Sequence, residues 1–266
     1  VGDWAAQRGY DYCGRLYRRF DIVYGLSEHG GAAKLRALGV DPIDVVPLGV
    51  ELAEFSPDKR DPELRARLGV ADRDPLLIYA GRLDVEKRPQ TVVKAFLSLP
   101  EAMNASLVLL GDGPLREPMI ALAEGRRLHA PGYVGDRREL ARWLASADIY
   151  VSGMADETFG ISIIEAQASG LPVVGIAAGA MLDRVPSDLG RLSPIEDAAA
   201  MAANIAKVWA GDHRAMGQRA RLHAEQFSWA KCMTELFDGV YARAMGVAAR
   251  RATASPADAE AVVRPN

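Results

Sequence analysis

Residues 148–174 read D-I-Y-V-S-G-M-A-D-E-T-F-G-I-S-I-I-E-A-Q-A-S-G-L-P-V-V. Asp148 to Ser152 is a short apolar run of the kind buried on both faces of a parallel sheet. Gly160 to Ala168 reads as a helix with a small-residue end, stopped at Gly170. Leu171 to Ile176 is a second buried strand. Strand, helix and strand in so short a span make a βαβ unit, and strand twist makes its crossover right-handed.

The same alternation continues outward. Upstream, Leu76 to Ala80 is a strand ending at Gly81, followed by a helix from Pro89 to Leu99. Val92, Val93, Phe96 and Leu97 fall at helical spacing in that helix. Leu107 to Leu110 is the next strand, broken by Gly111-Asp112-Gly113-Pro114 before a helix from Leu115 to Glu124. A strand around Tyr133-Val134 precedes a helix from Arg138 to Ala147. Downstream, Leu189 to Leu192 is a last short strand. The pattern predicts an α/β fold with a Rossmann-like, doubly wound parallel sheet, whose ligands bind beyond the carboxyl ends of the strands. Two helices, Glu196 to Ala210 and His213 to Gln226, follow the sheet. A third runs from Trp229 to about Met245 behind a plausible N-cap, Ser228.

The front of the chain differs. Asp21 to Tyr24, Glu28 to Leu38 and Ile43 to Pro47 form one strand–helix–strand unit, too small to bury a core alone. It has to pack on the main domain or on something outside this chain. The first residue is Val1 and no signal peptide follows it, which points to a fragment of a longer protein.

Composition narrows the function classes. Of 266 residues, 49% are hydrophobic and 25% charged, ordinary values for a globular chain, which excludes wholesale disorder, collagen and a disulfide-stapled mini-protein. The net charge is −3 with no block of like charge, so no nucleic-acid footprint is expected. No apolar run reaches the roughly 18 residues of a membrane-spanning helix. Cys13 and Cys232 lie far apart and read as reduced thiols of a cytoplasmic protein. His29, His129, His213 and His223 show no metal-ligand spacing, so no metal site is expected.

Three loops carry chemistry. In Gly81-Arg82-Leu83-Asp84-Val85-Glu86-Lys87, two cations follow a strand and suit phosphate oxygens. The alternative is a solvated loop that pairs internally through Asp84 and Glu86. Gly111-Asp112-Gly113 is a tight turn into a helix. In Asp156 to Ala166, Glu157 lies in a loop and Gly160 opens a helix whose first amides welcome an anion. Glu165 lies inside that helix among Ile161, Ile163, Ile164, Ala166 and Ala168. A carboxylate there needs a partner. As an alternative, Glu157 could serve only as a charge near the helix start, and Glu165 only in a surface ion pair.

Taken in order, G-R-x-x-x-E-K (Gly81 to Lys87), G-D-G-P-L (Gly111 to Leu115), A-D-I-Y-V-S (Ala147 to Ser152), E-T-F-G-I-S-I-I-E-A (Glu157 to Ala166) and A-S-G-L-P-V-V (Ala168 to Val174) resemble the C-terminal half of a retaining glycosyltransferase of family 4. The resemblance covers Asp21 to Met245 and is most like bacterial mannosyltransferases. It implies the GT-B architecture of two facing Rossmann-like domains. Residues 1–48 would then be a remnant of the N-terminal acceptor domain and 49–70 the interdomain linker. Residues 71–228 would be the nucleotide-sugar-binding domain, 229–245 a closing helix that crosses back toward the N-terminal domain, and 246–266 a disordered tail.

The resemblance also implies roles. Arg82 and Lys87, after Gly81, would grip the donor diphosphate and stabilise the leaving group, doing the work of a divalent ion. Glu157 would bond the sugar hydroxyls and Glu165 the ribose hydroxyls. The amides of Phe159, Gly160 and Ile161 would contact sugar and phosphates, and Val134 and Asp136 the base. No cofactor or metal is implied. The partners would be a nucleotide-sugar donor, with GDP-mannose favoured, and a glycan or lipid acceptor, in a parent protein peripheral to the inner membrane face. Many relatives have a glycine pair where this chain has Gly179-Ala180. The family's acceptor site, Gly-rich loop and catalytic-side histidine do not map here, and His29 lies on a different element. A donor-binding module without catalysis is the alternative, and a glycoside hydrolase using Glu157 and Glu165 a more distant one. The chain alone is expected to bind donor and transfer poorly.

Overall fold

The computed structural model describes residues 2–253. Strands β1 (Val23–Gly25) and β2 (Ile43–Val45) pair with each other in parallel. The main sheet contains β3 (Leu76–Ala80), β4 (Ser106–Leu110), β5 (Leu128–Gly132), β6 (Ile149–Val151), β7 (Val173–Ile176) and β8 (Gly190–Ser193). All its pairings are parallel, in the order β5-β4-β3-β6-β7-β8. This is the doubly wound sheet that the alternation of apolar runs and amphipathic helices predicts.

Side chains alternate across the sheet and so build two cores. Leu76 and Ile78 face one side with Leu144, Ile163 and Ile164. Leu77 and Tyr79 face the other with Val92, Phe96, Met119, Met201 and Ile205. The helices take their places accordingly. In chain order they are α1 (Gly2–Tyr17), α2 (Ala33–Ala37), α3 (Pro62–Arg67), α4 (Pro89–Leu97), α5 (Arg116–Leu122) and α6 (Arg137–Ser146), then α7 (Ile161–Ala168), α8 (Met181–Arg184), α9 (Ala198–Ala210), α10 (His213–Ala224), α11 (Trp229–Thr234) and α12 (Ala242–Thr253). Among the described residues no helix is long and apolar enough to cross a membrane.

Three features differ from expectation. The strand placed at Tyr133-Val134 lies instead at Leu128–Gly132. It is an edge strand carrying His129 and Pro131, tolerable only because one side of an edge makes no ladder bonds. Its half-exposed residues lack the apolar run that marks the central strands. The helix beginning at Trp229 does not stop near Met245. It passes through a π-helical stretch, Glu235–Tyr241, into α12 and reaches Thr253, eight residues into the segment expected to be disordered. Residues 254–266 of that segment lie outside the described residues. Finally, α1 occupies a stretch that the sequence reading left without an element.

The front unit packs on the main domain. Its own core is small, with Ala32, Val40 and Ile43. A π-helical turn, Glu28–Ala32, leads into α2 and lies against the loop after β6. The closing helix returns to the same unit, where Arg243 pairs with Asp44 and Arg251 with Asp21.

Beneath the sheet, at the amino ends of the strands, one guanidinium joins several segments. Arg65 on α3 is buried. It donates to the Ser146 carbonyl at 3.0 Å and to Asp148 Oδ2 at 2.9 Å. It also donates to the carbonyls of Ala71 and Asp74, both at 3.0 Å. Asp148 Oδ2 accepts the Leu76 amide as well, at 2.8 Å, tying the start of β3 to the entry of β6. Arg65→Met would leave Asp148 and three carbonyls short of a donor. Removing one partner of a buried pair costs about 3–5 kcal/mol. Urea unfolding of this variant should show a loss of that size.

Candidate functional site

The chain leaves β3 toward β4 on one side and returns as β6 on the other, so the crevice of a doubly wound sheet opens between β3 and β6. The loops carrying the predicted site residues converge there. Gly81–Leu83 and Gly111–Gly113 lie side by side. The Gly81 amide donates to the Leu110 carbonyl at 2.9 Å. The Leu83 amide donates to the Asp112 carbonyl and the Leu115 amide to the Leu83 carbonyl, both at 2.9 Å. Gly111 has φ 139°, and a Cβ on it would lie 1.9 Å from the Gly81 carbonyl oxygen. Only glycine allows this approach.

Lys87 and Glu157 meet across the crevice, Nζ to Oε2 at 3.5 Å, both largely buried. Glu157 Oε1 accepts the Gly160 amide at 3.1 Å, so the carboxylate caps the start of α7 itself. Gly160 has φ 85°, the left-handed conformation that opens the helix. The sequence had aimed its amide at a ligand, and here Glu157 holds it. The next amides, of Ile161 and Ser162, begin the helix and have no intrahelical acceptor. Phe159 is buried beneath them.

Arg82 behaves differently from Lys87. It is exposed and pairs with Asp84 at 3.0 Å and Glu86 at 2.9 Å, the internal pairing weighed as an alternative. Asp84 also accepts the Lys87 amide at 3.0 Å.

A cavity of about 330 Å³ opens beside these loops. Gly81, Arg82, Tyr133, Val134, Ser162 and Glu165 help to line it. Thus Val134 reaches the cavity, whereas Asp136 caps α6 by accepting the Arg138 amide at 2.9 Å. Glu165 is buried and has the partner its apolar setting demands. Arg137 Nη2 donates to its Oε1 at 2.9 Å. Burial pushes the Glu165 carboxyl above the usual range, and Arg137 opposes that shift. Beneath the cavity the Tyr150 hydroxyl lies 3.0 Å from Ser162 Oγ and 3.2 Å from the Ala80 carbonyl, linking β6, α7 and β3. Burial raises its pKa, so the phenol stays protonated.

Sequence reasoning missed the supports of the Glu157 loop. Ser27 donates to the Thr158 carbonyl at 2.6 Å while its oxygen accepts the amides of Gly30 and Gly31. A Cβ on Gly30 would lie 2.5 Å from the Glu157 carbonyl oxygen, so the front unit presses directly on that loop. Arg184 is buried between the rings of Phe159 and Phe227. It donates to the Phe159 carbonyl at 3.1 Å and the Leu26 carbonyl at 3.0 Å. The Ala180 amide donates to the Glu157 carbonyl at 2.8 Å, a contact the methyl in place of a second glycine does not prevent. Arg137 could have been sought from the need of Glu165 for a cation. Ser27 and Arg184 act at long sequence separation and carry no local signal.

Residues 60–223 match the family of glycosyl transferases group 1, and the chain belongs to that family. It is 31% identical over 200 residues to the GDP-mannose-dependent alpha-(1-6)-phosphatidylinositol dimannoside mannosyltransferase of Mycobacterium tuberculosis, spanning 75% of this chain and 52% of that protein. It is 35% identical over 233 residues to the D-inositol 3-phosphate glycosyltransferase of Xylanimonas cellulosilytica, spanning 79% and 54%. Among solved structures, sucrose-phosphate synthase from Thermosynechococcus elongatus overlays with a TM-score of 0.71 at 28% identity, covering 84% of this chain and 59% of that one. The fold is therefore that of the Rossmann-like domain of a GT-B glycosyltransferase. The chain spans about half the length of the curated relatives it matches.

Gly111→Ala should cost more than about 2 kcal/mol, because both its backbone angle and the Gly81 carbonyl resist a methyl. Gly125 shares a positive φ but has open space around it. Gly125→Ala should cost only about 1 kcal/mol. Denaturant titration of the two variants side by side measures the difference.

Proposed function

We propose that this chain is the donor-binding half of a retaining glycosyltransferase that moves a sugar from a nucleotide-diphosphate donor to a glycan or lipid acceptor. The observation that carries the reading is the meeting of Lys87 and Glu157 at the switch point of the sheet, beside a cavity walled by Glu165. A diphosphate suits the cationic side of that crevice. Lys87 would turn from Glu157 to the phosphate oxygens, and Arg82 would open from Asp84 and Glu86 to join it. Two cations placed where the leaving group gains charge do the work of a divalent ion, so this reading needs no metal. Glu157, freed of Lys87, would accept from sugar hydroxyls, and Glu165 from the ribose. Val134 and the apolar cavity wall would take the base.

GDP-mannose is the favoured donor. The support is the mycobacterial relative whose name specifies it and whose match spans three quarters of this chain. Retention would follow from a front-face path, in which the departing phosphate assists the acceptor on the side it leaves. The hydrolase alternative fits less well, because it needs two carboxyl groups flanking a sugar, whereas Glu157 pairs with Lys87 and Glu165 with Arg137. The chain by itself should bind donor and transfer poorly, since it spans only about half of its relatives.

Calorimetric titration with GDP, UDP and ADP tests this reading. One nucleotide should bind best, and Lys87→Ala should weaken it by roughly 10- to 100-fold, the worth of a charged hydrogen bond. EDTA should leave the affinity unchanged. Failure of all three nucleotides to bind, or full affinity in the variant, would sink the reading.

A further inference from the structure

The Glu165 carboxylate is half used. Oε1 accepts from Arg137, and Oε2 accepts no hydrogen bond among the described residues, although the side chain lines the cavity. Arg137 is itself held. It is the first residue of α6, behind the N-cap Asp136, and its guanidinium carbon lies 4.9 Å from the ring centre of Phe55, a fully buried residue of the linker. The stacked guanidinium therefore presents one donor to one oxygen and leaves the other oxygen free at the cavity wall.

We propose that Arg137 is a positioning residue that keeps Glu165 ionised and oriented, so that the carboxylate accepts from both vicinal hydroxyls of the donor ribose. The proposal rests on the nucleotide-sugar reading above. Its chemistry is simple. An ionised carboxylate is an acceptor only, with room for two donors beyond Arg137, whereas a protonated one spends an oxygen on its own O–H. Burial drives Glu165 toward protonation, and Arg137 is the group that opposes it.

The other charged and titratable neighbours do not replace Arg137. Glu51, from the linker, pushes the Glu165 pKa further up. Tyr150, from β6, is a protonated phenol bonded toward Ser162 and Ala80. Arg82 and Asp112 share the cavity wall, with Arg82 tied to Asp84 and Glu86 and Asp112 accepting the Gly113 amide. Without Arg137 the carboxyl therefore holds its proton to higher pH. Affinity for hydroxyl donors is then lost at low pH and regained as pH rises through the shifted value.

The test is calorimetry on the whole chain with GDP and UDP, each beside its 2′,3′-dideoxy analogue, from pH 6 to 9. The ratio of the two affinities cancels the titration of the phosphates. Wild type should prefer the ribonucleotide throughout. Arg137→Met should lose about 10-fold of that preference at the acid end of the range, the worth of one charged hydrogen bond, and recover it as pH rises. Arg137→Lys should retain most of it, and Glu165→Gln should show a small preference that does not vary with pH. A loss in Arg137→Met shared equally by ribo- and dideoxynucleotides, or one independent of pH, overturns the proposal while leaving the donor site in place. No ribose preference in wild type, or full preference in Glu165→Gln, removes Glu165 from the ribose and overturns the proposal together with that part of the reading.

Discussion

The structure depends on a constraint of winding. Because β3 and β6 are neighbours while the chain between them runs out to β5 and back, their carboxyl ends release loops in opposite directions. A gap opens there that no crossover helix can cover. The loops after β3, β4 and β6 are therefore the ones that can meet a ligand, and each carries its charged or glycine residues at that end. The guanidinium of Arg65 below and the approach of Gly111 to Gly81 above hold the central strands in register around this gap.

Around the crevice, polar groups come in answered pairs. Lys87 answers Glu157, Arg137 answers Glu165, and Arg184 answers two carbonyls that no strand or helix satisfies. Arg184 and Ser27 also make the small front unit part of the site. They join its first turn to the Phe159 and Thr158 carbonyls, so the loop bearing Glu157 is braced from two directions. A unit too small to fold alone thus gains its stability from the loop it positions.

Much of this was legible in the sequence. The central strands showed as apolar runs because they are covered on both faces, and the helices showed through their spacing. The ordered glycines and carboxylates marked the loops, and the isolation of Glu165 among isoleucines and alanines asked for a cation. What stayed hidden depended on distant partners or on edges. β5 escaped because an edge strand can carry a proline and half-exposed side chains. Arg65, Arg184 and Ser27 act across separations at which sequence spacing carries no information. Asp136 had two available uses, capping and binding, and only the fold shows it accepting the Arg138 amide.

The pairing of Arg82 with Asp84 and Glu86 has a further consequence. A cationic loop left bare would gather whatever anion the surrounding solution supplies, and a ligand would have to evict it. This loop instead brings its own counter-ions, attached to the chain two and four residues away. Binding at such a place is an exchange within the protein, in which one set of oxygens replaces another. An anion that engages Arg82 therefore has to displace oxygens that the chain itself supplies, those of Asp84 and Glu86.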